Sequence, residues 1–156
     1  MLNITIPGHQ PLRLEHLVLD YNGTLAIDGQ LIEGVLARLT ALAGSLQIHV
    51  ITADTFGSVQ AALSGAPGEV VILPAGAQDE AKRQYVAQLG AATVAAIGNG
   101  RNDRLMLQAA ALGIAVIQAE GAAVAALAAA DIAAPDIVSA LDLLAHPLRL
   151  AATLRS

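Results

Sequence analysis

The sequence predicts an α/β fold: a Rossmann-like three-layer sandwich in which a central parallel sheet carries helices on both faces. Three observations predict it. Short aliphatic, β-branched-rich runs alternate with helical stretches along the chain, the pattern of a parallel sheet whose crossovers are helices. Each aliphatic run ends on a turn-forming or polar residue. The connections are short and carry no Ser- or Pro-rich linker, charge block or internal repeat, so residues 1–156 read as a single domain.

In chain order, residues 2–6 read as an edge strand that stops at Pro7-Gly8. Residues 14–20 (LEHLVLD) read as the first strand of the sheet proper, an aliphatic run that delivers a carboxylate into a Gly-containing turn. A helix is expected at residues 33–43, a strand at 47–52 (QIHVIT), a helix at 56–63 and a strand at 69–73 (EVVIL). Helical spacing returns at 78–89, followed by a strand at 93–98 (TVAAIG), a helix at 101–111 and a strand at 113–117 (GIAVI). The Ala-rich tail from Gly121 continues as helix, short strand and helix.

Composition excludes several functions. The chain has 13 Asp+Glu against 8 Lys+Arg, a formal charge of −5, and no cysteine. Disulfide frameworks, thiolate zinc sites and cysteine nucleophiles are therefore out. An acidic balance with no basic run and three scattered aromatics argues against nucleic acid, which calls for clustered Lys/Arg and stacking platforms. Mean hydropathy is +0.60, yet the most apolar region, residues 105–134, is broken by Gln108, Gln118, Glu120 and Asp131. No stretch reaches the roughly 18 uncharged apolar residues of a spanning helix. The first 16 residues lack a basic start followed by an apolar run, so no secretory signal is read and a cytoplasmic location is expected. With only 13% charged residues, the chain is expected to cover some aliphatic surface by association into a homo-oligomer.

In sheets of this kind ligands sit beyond the carboxyl ends of the strands, near the point where strand order reverses. The first strand ends at Asp20-Tyr21-Asn22-Gly23-Thr24, and the strand at 47–52 ends at Thr52-Ala53-Asp54. The strand at 93–98 runs into Gly98-Asn99-Gly100-Arg101-Asn102-Asp103, and Lys82 lies near the start of the helix before it. Singly, each residue has an ordinary structural reading as a helix cap, turn residue or solvated lysine. Together they bring acid, hydroxyl, lysine and acid to the ligand-binding edge. Asp20 with Asp103, and Asp54 as a further candidate, could hold Mg2+, whose incomplete protein shell leaves room for phosphate and water. Thr52 and Lys82 would then meet the phosphoryl oxygens. The Gly98-Asn99-Gly100 glycines do not make a dinucleotide fingerprint, because the third glycine position is Asp103. The four histidines show no metal-ligand spacing, and His49 inside a strand reads as a structural residue.

These segments, in this order, resemble the haloacid dehalogenase superfamily, and within it the phosphorylation domain of P-type ATPases. Asp20-Tyr21-Asn22-Gly23-Thr24 is similar to the family's first motif, and Thr52-Ala53-Asp54 to the pumps' Thr-Gly-Asp. Gly98–Asp103 is similar to their Gly-Asp-Gly-x-Asn-Asp, with Leu112-Gly113-Ile114-Ala115-Val116 and Ala130-Asp131-Ile132 following as in the pumps. The resemblance implies a Mg2+-dependent phosphohydrolase with Asp20 as the nucleophile, acting on a phosphorylated substrate that the sequence does not identify. It implies that Gly23, Thr24, Thr52, Ala53, Lys82 and Asn102 bind substrate. Asp20, Asn22, Asn99 and Asp103 would attend the metal.

Two carboxylates of the usual set are amides here. Asn22 keeps the backbone carbonyl for the ion but cannot exchange a proton, which costs typically 10²- to 10⁴-fold in rate, so slow turnover is expected. Asn99 withdraws one negative charge from the metal. Restoring both as Asp is expected to raise activity in a weakened enzyme and to do little in a non-catalytic phosphate-binding or protein-interaction module, the alternative reading. About 27 residues lie between Leu25 and Ala53 and about 29 between Thr52 and Lys82, so neither usual insertion point holds a cap domain. Residues 26–31 are expected to form only a small flap.

Overall fold

The computed structural model describes residues 1–53 and 58–156. Strands β1 (Leu2–Ile4) and β2 (Leu12–Leu14) form an antiparallel hairpin of their own, with Leu2 opposite Leu14. The edge strand expected at residues 2–6 is therefore not part of the main sheet, and the run at 14–20 is divided. The break falls at Glu15, whose N–H donates to the Thr93 carbonyl and whose carbonyl accepts from the Gln47 N–H, both at 2.8 Å. There the chain leaves the hairpin and enters the sheet as β3 (His16–Asp20).

A second small hairpin follows, β4 (Ala26–Ile27) and β5 (Gln30–Leu31), joined by the two-residue turn Asp28-Gly29. This is the flap expected from the sequence. The chain continues through α1 (Val35–Leu42), β6 (Gln47–Thr52), α2 (Ser58–Ala62), β7 (Glu69–Ile72) and α3 (Gln78–Leu89). Phe56, where the second helix was expected to begin, lies outside the described residues, as does Asp54. Then come β8 (Val94–Gly98), a 3₁₀ turn at Arg101–Asp103, α4 (Arg104–Ala109) and β9 (Leu112–Val116). The tail forms α5 (Val124–Ala129), β10 (Ile132–Ala134), α6 (Ile137–Ala145) and α7 (Pro147–Leu154).

Six strands form one parallel sheet in the order β10-β9-β8-β3-β6-β7. The central strands β3, β8 and β9 are almost wholly buried, as a strand covered on both faces must be. Alternate side chains serve opposite layers. Leu17, Leu19, Ile97 and Ile114 face a core shared with α1 and α6, while Val18, Ile51, Ala96 and Ala115 face one shared with α3, α4 and α5. Arg38 of α1 and Asp142 of α6 lock the first layer with a two-pronged pair at 2.7 and 3.1 Å. Among the described residues no single helix is long and apolar enough to cross a membrane.

From β3 the chain steps to β6 and β7 on one side, then returns to β8, β9 and β10 on the other. Strand order thus reverses between β3 and β8. Both central strands end at this switch point, β3 on Asp20 and β8 on Gly98.

Candidate active site

Asp20 is the last residue of β3, in register with Ile51 of β6 and one step beyond the Leu19–Ile97 pair of β8. Helix α3 is the crossover that brings the chain from β7 back to β8, and its second turn carries Lys82 over the sheet to this point. The lysine is 1% exposed, and its Nζ donates at 2.6 Å to both Asp20 Oδ1 and Asp103 Oδ1. Asp103 is fully buried, and its other oxygen accepts the main-chain N–H of Asn99 at 3.0 Å and of Gly100 at 2.8 Å. That turn requires glycine at 98, because a Cβ there would lie 2.5 Å from the Asp103 carboxyl carbon.

Two carboxylates and one ammonium out of water set the electrostatics. Burial, and then the charge of Asp103, push the Asp20 carboxyl up to about 7, while Lys82 and Thr24 pull against them. Burial would lower the Lys82 ammonium, yet Asp20 and Asp103 outweigh it and hold the ammonium above its usual range.

The turn after β3 is sewn together by the Tyr21 carbonyl, which accepts N–H bonds from Thr24, Leu25 and Ala26 at 2.9–3.2 Å. Gly23 takes a left-handed conformation (φ 79), and a Cβ there would meet the Asn99 amide at 2.5 Å. The buried Thr24 hydroxyl lies 3.0 Å from Asp20 Oδ2, to which it donates, and 3.3 Å from Asn99 Oδ1. Asn99 in turn donates its amide N–H to the Gly121 carbonyl at 3.0 Å.

Three of the expected site residues have their polar groups engaged within the protein. Gly23 and Thr24 were expected to bind substrate, but the Gly23 N–H donates to the Ala26 carbonyl and the Thr24 N–H to Tyr21. Both of their carbonyls accept from Gln118, and the Thr24 hydroxyl donates to Asp20. Asp103 was expected at the metal. With Lys82 on one oxygen and two main-chain amides on the other, it anchors the lysine and the turn.

The remaining residues fall around this centre. Thr52 is buried at the end of β6, one register step past the residue opposite Asp20, and Ala53 is exposed just beyond it. Asn22 and Asn102 are exposed on the two turns. Among the described residues no three His, Cys, Asp or Glu side chains converge tightly enough to hold a metal alone. Asp20 Oδ2 and Asn99 Oδ1 nevertheless both lie within hydrogen-bond reach of one hydroxyl, an all-oxygen and incomplete donor set. Such a set fits a hard divalent cation that keeps water and takes phosphate oxygens. Sequence reasoning missed Gln118 and Gly121. Gln118 carried a signal, being a polar residue just past the carboxyl end of a strand.

Comparison with known proteins bears on the fold and the family. An uncharacterized protein of Methanocaldococcus jannaschii is 52% identical over 62 residues, 40% of this chain and 67% of that protein. Among solved structures, the 3-deoxy-D-manno-octulosonate 8-phosphate phosphatase of Moraxella catarrhalis, in complex with magnesium, phosphate and KDO, is 18% identical with a TM-score of 0.68. The match covers 91% of this chain and 94% of that one. A zinc-transporting PIB-type ATPase is 23% identical with a TM-score of 0.60, over 78% of this chain and 20% of that one. At these identities the likeness is one of fold. The family profile of haloacid dehalogenase-like hydrolases matches residues 43–134, more than half of the sequence, and the chain belongs to that family.

Proposed function

We propose that this hydrolase is a phosphohydrolase that moves the phosphoryl group of a phosphate monoester first to Asp20 and then to water, with Mg2+ as its cation. The observation that carries the reading is Lys82: a buried ammonium held 2.6 Å from the terminal carboxylate of the central strand, at the switch point of a parallel sheet. A fully desolvated charge is costly to keep. Its placement makes sense where it orients a nucleophile and meets the charge of an incoming phosphate.

In the first step an Asp20 oxygen bonds to phosphorus as the bond from phosphorus to the leaving alcohol oxygen breaks. Thr24 holds the second carboxylate oxygen and so fixes the angle of attack. Thr52, Ala53 and Asn102 border the space for the phosphoryl oxygens, and Asp103 holds Lys82 in place. Asp20, the Asn22 carbonyl and Asn99 would hold Mg2+, which supplies Lewis-acid stabilisation of the phosphoryl charge. In the second step water attacks the acyl phosphate, inorganic phosphate leaves and the carboxylate is restored. Asn22 can neither give a proton to the leaving oxygen nor take one from water, so both protons pass through solvent and turnover is slow.

Intact-mass spectrometry after incubation with Mg2+ and acetyl phosphate, beside the Asp20→Asn variant, tests this. One added phosphoryl group, dependent on both Mg2+ and Asp20, is the expected result. The absence of any adduct together with the absence of released phosphate overturns it, and leaves a phosphate-binding or protein-interaction module in its place.

A further inference from the structure

Gln118 lies two residues past the end of β9 and is one of two non-glycine residues with positive φ among those described, at 31°. Backbone in this region persists only where the surroundings hold it. What holds it is a complete set of bonds. Its side-chain nitrogen donates to the carbonyls of Gly23 at 2.6 Å and Thr24 at 2.7 Å, and its side-chain oxygen accepts the Ile137 N–H at 3.0 Å. Its main-chain N–H donates to Pro135 at 2.8 Å, and its carbonyl accepts from Gly121 at 3.0 Å. A carboxamide alone offers two donors and an acceptor at this reach without charge.

The N–H groups of the turn after β3 are folded inward onto Tyr21 and Ala26, which leaves its carbonyls to be fixed from outside. Gln118 fixes two of them, in the residues that flank the hydroxyl held on Asp20. At its other end it satisfies the first N–H of α6, a helix whose Asp136 cap accepts the Ser139 N–H at 2.7 Å. We infer that Gln118 is a positioning residue for phosphoryl transfer: it pins the Gly23–Thr24 turn to α6, and so sets the height of Thr24 beneath Asp20 and the orientation of the nucleophile. This rests on the phosphohydrolase reading for its consequence, and on the hydrogen bonds for its mechanism.

Two variants separate positioning from packing. Gln118→Glu keeps the shape and the acceptor for Ile137 but sets an oxygen against the carbonyls of Gly23 and Thr24. Gln118→Gly removes the clamp and relieves the backbone. Amide hydrogen exchange of Thr24, Leu25 and Ala26 is expected to quicken at least about tenfold in both, with Val18 and Val50 in the sheet unchanged. With Mg2+ and p-nitrophenyl phosphate, kcat is expected to fall by about 10- to 100-fold with KM little moved, and Gln118→Glu is expected to be the worse. A packing role gives the opposite order. Unchanged exchange at residues 24–26, or a kcat for Gln118→Glu equal to wild type, overturns the inference. Should the wild-type protein transfer no phosphoryl group, the phosphohydrolase reading fails by itself, and the exchange rates alone then sustain or sink the clamp.

Discussion

Asn99 is built into its place as an amide. Its oxygen faces the Thr24 hydroxyl and its nitrogen faces the Gly121 carbonyl, so a carboxylate at 99 would set two oxygens against each other. Asn22, exposed on its turn, meets no such constraint. The two amides, alike in the sequence, therefore part company. Asn22→Asp is expected to raise kcat toward p-nitrophenyl phosphate by about 10²-fold or more, by supplying the missing proton exchange. Asn99→Asp is expected to gain nothing, and the double variant to be no faster than Asn22→Asp alone. Lys82 gives a second outcome. Lys82→Met leaves Asp20 and Asp103 buried without a cation, and breaking such a pair costs about 3–5 kcal/mol. With the lysine gone the Asp20 carboxyl, already held up by burial and by Asp103, binds a proton more readily in the folded state than in the unfolded one. Its penalty is absent below the unfolded value and grows as pH rises, so urea melts should show a loss that is smaller at pH 5 than at pH 8.

At the scale of elements, the amino ends of the strands carry a cluster of their own. His16 of β3 meets His49 of β6 at 3.1 Å, and His49 meets Glu69 of β7 at 2.8 Å and Tyr85 of α3 at 2.9 Å. Tyr85 also donates to Glu69. A nitrogen-to-nitrogen hydrogen bond needs one bare nitrogen, so the two imidazoles can share only one added proton without breaking it. Burial and His49 hold the His16 imidazole below its usual 6.5, against a weaker pull from Glu15. The unfolded chain thus binds a proton first, and the contribution is present above about pH 6.5 and lost as pH falls from there through the lower folded value. His16→Gln is expected to flatten the stability–pH slope between pH 7 and pH 5 in urea melts. Elements with one strong period were legible in the sequence, and β6 and α3 fall where residues 47–52 and 78–89 placed them. Boundaries set by tertiary bonds were not. The expected helix at 101–111 begins as a 3₁₀ turn because the Asp103 carboxylate folds back to Asn99 and Gly100. The last helix is broken at His146-Pro147 and bent by 101°, since the residue before proline leaves helical geometry, here at φ −126 and ψ 75.

For the whole molecule, the layers and the carboxyl edge of the sheet were legible in the sequence, because a parallel sheet places every strand end on a known side. Asp20, Lys82 and Asp103 meet there as their positions suggested. The parts that stayed hidden depend on which polar groups satisfy which. Nothing in Gly23-Thr24 reveals that Gln118, 94 and 95 residues away, occupies their carbonyls. The lysine triad has a further consequence, for the order in which the molecule is made. Asp20 and Lys82 are 62 residues apart in the chain, and Lys82 and Asp103 are 21 apart. No short segment holds the triad, and the β3–β8 pairing joins strands separated in the chain by β6, β7 and the helices between them. Such distant pairings form late and slowly. The lysine triad is therefore expected to be restored late in refolding, with exchange protection of the Asn99 and Gly100 N–H groups lagging behind the return of helical signal.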